Sequence, residues 1–191
     1  MTTLTRRSFV WSSTAFGVAC TMTACPLSNV YDSITKYVPV GLLAFDRVLQ
    51  IVGEAGVDTA PLMNVVNSVK ASLADIQSAV LEYKDASADR KDTLVAIIRT
   101  ALAVAEGRIQ EFWGNLTLPP KTGTIVKQLL GVILATLSGF REQLPGYQGN
   151  PGPMVAANHI QVVPKPRSID QFRQDFNQIL RDNGEAKYAL P

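Results

Sequence analysis

The sequence predicts an all-α protein: an antiparallel up-down four-helix bundle, followed by a Pro/Gly-rich extended segment and a short C-terminal helix. Three observations carry that expectation. Leu62, Val66, Val69, Leu73, Ile76, Val80 and Tyr83 step by four and three without a fault, which is the spacing of one helical face. Val126, Leu130, Ile133, Leu137, Phe140 and Leu144 repeat the same arithmetic. The breaks between successive patterns are short, so neighbouring helices must run antiparallel.

The chain opens on Thr5-Arg6-Arg7-Ser8-Phe9-Val10, followed by an uncharged run from Val10 to Ala24. That run is shorter than the ~20 apolar residues a spanning helix needs, so it reads as the apolar part of a leader. A hydroxyl residue, two arginines, a spacer, Phe and an apolar residue resemble a bacterial twin-arginine signal peptide. The ending Met22-Thr23-Ala24-Cys25 is similar to a lipobox, departing from the usual pattern at Met22 and in having Pro26 directly after the cysteine. The resemblance implies that Arg6, Arg7 and Phe9 form the export signal. It also implies that residues 1–24 are removed as a signal peptide and that Cys25 carries the lipid. Two arginines near the start also fit an ordinary basic leader of the general export route. Cys20, with Gly17 three residues before it, makes a poorer lipobox and is expected to leave with the signal.

Residues 25–33 are then a lipidated tether, 34–144 the four-helix bundle, 145–167 a Pro/Gly-rich wrap or linker, and 168–191 a C-terminal amphipathic helix and tail. Losing residues 1–24 deletes Arg6 and Arg7 and no acid, leaving 16 basic against 16 acidic residues and a formal charge of zero. No net basic field remains to attract phosphates, so nucleic acid is not an expected partner. Cys25 becomes the only thiol, which leaves no internal disulfide and makes packing the source of stability.

In the first helix Val38, Leu42, Phe45, Leu49 and Val52 share a face, and Gly53-Glu54-Ala55-Gly56 ends it. Proline is tolerated best in a first turn, so the regular helix is expected to start near Pro39, with a bent or separate turn ahead. The second helix is expected to begin after Asp58-Thr59, with Pro61 in its first turn. Ala60 to Lys84 spans roughly 37 Å at ~1.5 Å per residue and needs partners along that length. After Asp85-Ala86-Ser87 the third helix starts near Ala88, with Ser87 as cap and Asp89 at the positive end of the dipole. Its stripe is Leu94, Ile98, Ala101, Ala105, Ile109, Phe112 and Leu116, and Leu118-Pro119-Pro120 stops it. Thr122 is the next expected cap, opening a fourth helix from Gly123 to Leu144.

Residues 145–167 hold five prolines and three glycines, through which no helix can run. Ser168-Ile169-Asp170-Gln171 has capping-box spacing and opens the last helix, with Ile169, Phe172, Phe176, Ile179 and Leu180 on its apolar side and Asn183-Gly184 closing it. That helix must cover either its own bundle or a partner.

The chemistry is limited by what the faces present. Apart from the phenol of Tyr83, the seam residues of all four helices are apolar, so no acid, base or nucleophile points inward. A carboxylate-bridged metal bundle needs several histidines, and the chain has one, His159, in the Pro/Gly-rich segment. Asp85, Asp89 and Asp92 gather with Arg90 and Lys91 near one turn, which reads as a mixed-charge cap. Gly131, Ala135 and Gly139 lie four apart and mark a close approach of a neighbouring segment, and Phe112-Trp113 reads as core and rim. No catalytic, cofactor-binding or metal residue is therefore expected. The expected role is binding, scaffolding or assembly in the bacterial cell envelope. The expected contacts are the membrane through the N-terminal lipid and a protein partner or a second copy. A membrane-active helical protein is the first alternative and an enzyme or cofactor-binding protein the next.

Overall fold

The computed structural model describes residues 27–146 and 168–191. These residues are all-helical, in five α-helices and two short 3-10 turns, with no strand among them. In chain order the helices are α1 (Leu27–Glu54), α2 (Met63–Tyr83), α3 (Ala88–Gly114), α4 (Pro120–Gln143) and α5 (Ile169–Asp182). α2 packs on α1 and α3; α4 packs on α1, α3 and α5.

α1 corrects two expectations. Residues 27–33, assigned above to a tether, are helical, and Pro39 lies inside one continuous helix rather than at its start. An interior proline loses an N–H donor and crowds the carbonyl four residues back, at about 3 kcal/mol. Here Pro39 faces solvent, where the freed carbonyl can reach water. The turns before it bury Tyr31, Ile34, Tyr37 and Val38 almost completely. At about 1.5–3 kcal/mol for each large apolar side chain, that burial outweighs the defect. The buried stripe of α1 is also wider than Val38, Phe45 and Val52, which are buried, and Leu42 and Leu49, which are half-buried; it adds Ala44, Val48 and Ile51.

The ends of the other helices follow local chemistry. Asp58 accepts a hydrogen bond from the backbone of Ala60 at 2.9 Å, opening the 3-10 turn Ala60–Leu62 that leads into α2. Ser87 occupies the cap position of α3, but its side chain makes no capping bond. α4 starts at Pro120 rather than Gly123, because a proline at the first helical position has a preset φ and needs no donor there. Thr122 is accordingly inside the helix. Ser168 does cap α5, accepting from Gln171 N at 3.1 Å, while the Gln171 side chain bonds Asp175 instead of returning to the cap. Gly184, at φ +78°, turns the chain after α5, and Glu185 N donates to Leu180 O at 2.7 Å.

α4 is buried on nearly every side, including the uninterrupted run Leu129 to Leu137 and the small residues Gly131, Ala135 and Gly139. Its expected seam of Val126, Leu130, Ile133 and Leu137 is buried, with Phe140 half-buried, but the opposite faces are covered too. α5 supplies part of that cover and packs on its own chain: the ring of Phe172 meets Tyr37 edge-on at 5.0 Å, and Tyr37 meets Phe140 at 5.3 Å. The C-terminal tail folds back on α5, where the Asn177 side chain donates to Leu190 O at 2.9 Å and accepts from Leu190 N at 2.7 Å.

Tyr37 lies down along its own helix over Gly41. A Cβ at position 41 would meet the Tyr37 ring at 2.9 Å, and Phe140 and Phe172 limit where that ring can move. Gly41→Ala is therefore expected to lower stability by about 1–2 kcal/mol, although alanine favours a helix interior over glycine by about 1 kcal/mol. Chemical denaturation of the variant checks this; an increase in stability would show that the ring moves aside freely.

Candidate functional site

The interior holds little chemistry. Among the described residues the buried polar side chains other than tyrosines are Ser72 and Thr136, whose hydroxyls donate to Ser68 O and Val132 O one turn back, both at 2.9 Å. The hydroxyl of Tyr37 is buried without a hydrogen-bond partner among the described residues, and burial pushes its pKa well above the ordinary phenol value. A neutral phenol without a hydrogen-bonded base among the described residues is a poor nucleophile. Among the described residues no group of three or more His, Cys, Asp or Glu is placed to hold a metal ion.

The charged cluster near the α2–α3 turn is built as an ion-paired, aromatic cap. Arg90 donates to both carboxylate oxygens of Glu82, at 2.7 and 3.1 Å, which holds the Glu82 carboxyl below its usual range. The Lys91 ammonium sits 5.3 Å from the centre of the Tyr83 ring, and that ring stacks on Tyr31 at 4.0 Å. Lys84 pairs with Asp32 at 3.2 Å. At the opposite end of α1, Glu54 pairs with Lys187 at 2.5 Å, lowering the Glu54 pKa through that hydrogen bond. Glu106 and Arg141 pair at 3.2 Å in a mostly shielded setting between α3 and α4.

The residues expected to act as an address lie elsewhere. Arg6, Arg7, Phe9 and Cys25, and also Cys20 and His159, fall outside the described residues. Phe112 is buried and Trp113 half-buried. α4 is long and apolar enough to cross a membrane by length and composition, and 61% of its most apolar window is buried inside the protein.

One surface remains, and the seam pattern gave no signal of it. A shallow groove of about 420 Å³ runs between α2 and α3, with Ser72 and Asp75 on one wall and Ile97, Thr100, Ala101 and Val104 on the other. Met63, Leu81, Ile97 and Val104 are the exposed large hydrophobic side chains among the described residues, and all four lie on these two helices. The signal available in the sequence was a shortage of charge on the outward positions, which a search for apolar seams does not register.

The described residues are thus all-helical around an apolar core. Comparison with known proteins adds no identity: no family model, curated protein or solved structure matches the chain.

Proposed function

We propose that this is an exported, lipid-anchored four-helix-bundle protein with a non-catalytic binding, scaffolding or assembly role in the bacterial cell envelope. α1 to α4 run up, down, up and down around one core. Ion pairs support that order. Lys70 meets Asp46 and Lys84 meets Asp32, so advancing along α2 retreats along α1. Arg141 meets Glu106 and the carbonyl of Pro145 accepts from Arg99, so advancing along α4 retreats along α3.

The observation that carries the location is the sequence from Thr5 to Cys25, with Arg6-Arg7 ahead of an apolar run and a small-residue approach to Cys25. The observation that carries the non-catalytic role is a core without a buried acid or base among the described residues. A neutral mature chain disfavours nucleic acid, leaving the lipid and a protein partner or second copy as the contacts.

Two variants test the address. Replacing Arg6 and Arg7 together by lysine is expected to abolish export, leaving precursor inside the cell at the full mass of the chain. Cys25→Ala is expected to move the protein from the membrane fraction to the soluble exported fraction with an unchanged helical far-UV spectrum. Retention of the Cys25 variant in the membrane overturns the lipid anchor; normal export of the lysine pair overturns the twin-arginine route. A second reading, a membrane-active protein, is favoured by the length and apolarity of α4, roughly 36 Å at ~1.5 Å per residue. Leakage of dye-loaded vesicles on adding the mature chain supports that reading, and intact vesicles at high protein load exclude it.

A further inference from the structure

The outer face of the α2–α3 hairpin exposes few charges along two helices. On α3 no exposed residue between Asp92 and Arg108 carries a charge. On α2 the exposed residues from Asn64 to Leu81 include a single charge, Asp75. An ordinary solvated surface is about 25–35% charged. The nearby ionic side chains are turned to neighbouring helices instead: Lys70 to Asp46 on α1, Arg99 to Pro145 O, and Glu106 to Arg141 on α4. What is left outward is small or apolar, with Ile97 and Val104 39% and 41% exposed beside Ala96, Thr93 and Thr100.

We infer that this groove docks an amphipathic helix of another protein, presenting an apolar stripe to Ile97 and Val104 and a lysine or arginine to Asp75. The inference rests on the binding role proposed above. The form of the partner follows from the groove: a trough between two packed helices, lined by small side chains, accepts a third helix at the usual 8–10 Å separation. The charge follows from Asp75, which makes no ion pair or hydrogen bond in the described structure. Covering an unpaired carboxylate with an apolar stripe costs far more than pairing it, so the helix that fills the groove brings the cation. A second copy docking through the same face brings another Asp75 and no exposed base between Asp92 and Arg108 of its α3. A lipid surface is disfavoured because its apolar region would cover Asp75 without supplying a cation.

The test places a photo-crosslinking side chain at Thr100, in the groove, or at Gln174, on the exposed side of α5, in the full-length chain within cells that naturally produce it. Adduct peptides are then sequenced. The expected result is Thr100 adducts to a segment of another protein with apolar residues at helical spacing and a nearby Lys or Arg. Yield is expected to fall at least about tenfold with Asp75→Lys, and equally with Val104→Asp, because each removes one element of the match. Both positions are exposed, so an unchanged thermal melt verifies that the variants fold. Adducts to a second copy or to lipid overturn the inference, as does a Thr100 yield unmoved by Asp75→Lys. Protein adducts at Gln174 alone overturn the groove and leave the binding role standing; no protein adduct at either position overturns both.

Discussion

Phe45→Ala is expected to lower the unfolding free energy by about 3–5 kcal/mol, the range for removing a fully buried aromatic side chain and leaving a cavity. Phe45 on α1 has no exposed surface, and its ring meets that of Phe112 on α3 edge-on at 5.5 Å and 65°. The pair reaches across the interior between two helices that are not neighbours along the chain. Little nearby can relax into the space, since Ala44, Val48, Ile98, Ala105 and Ile109 are already buried. Phe112→Ala is expected to cost a similar amount. A double-mutant cycle in urea is expected to show about 0.5–1.5 kcal/mol of coupling between them. Strict additivity, or a loss below about 1 kcal/mol for either variant, would mean the rings do not share one interior.

Phe172→Ala is expected to cost about 3–5 kcal/mol as well, with a second consequence that identifies where the side chain sits. Phe172 is fully buried against Tyr37, and α5 carries it there from beyond the Pro/Gly-rich segment. Removing the ring opens the Tyr37 phenol to water, so its pKa is expected to fall back toward the ordinary value near 10 in the folded variant, read from ultraviolet absorbance during titration. In the intact protein the sign runs the other way. Tyr37 keeps its proton when folded and loses it above about pH 10 when unfolded, so its contribution is fully present below that pH. Above it, stability is expected to fall by about 1.4 kcal/mol per pH unit for each such tyrosine. Tyr37→Phe is expected to remove one proton's worth of that slope and to stabilise the fold at neutral pH by about 1–3 kcal/mol, because a buried hydroxyl without a partner is lost. An unchanged alkaline slope in the phenylalanine variant would show that Tyr37 is hydrated in the native state.

Most of the helical framework was legible because the hydrophobic period is a local signal. Val66, Val69, Leu73, Ile76 and Val80 on α2, and Leu94, Ile98, Ala101, Ala105, Ile109 and Phe112 on α3, are buried as their spacing predicts. The role of Ser168 as a cap was legible for the same reason, since a cap and its first turn lie within four residues. Pro39 departs from the expectation because its local cost is visible in sequence, while the burial of Tyr31, Ile34 and Tyr37 that offsets it depends on helices far along the chain. Tyr31 and Tyr37 are not part of the Val38, Leu42, Phe45, Leu49 and Val52 face that the spacing predicts, yet both are almost wholly buried. The α2–α3 groove is marked in the sequence only by missing charge, and which positions face outward depends on α1 and α4 taking the other sides.

Sequence by itself determined the all-α class, the approximate positions of α2 to α5, seams made of apolar residues apart from Tyr83, and a formal charge of zero once residues 1–24 are excluded. Each of these follows from residue spacing or composition, which act over one or two turns. Tertiary structure alone decided that α4 is enclosed on nearly all sides, that α5 returns to seal Tyr37, and that among the described residues one weakly charged face between α2 and α3 is left uncovered. Those are questions of which apolar surface covers which. Burial free energy depends on area removed from water and not on order in the chain, so only the packed structure answers them.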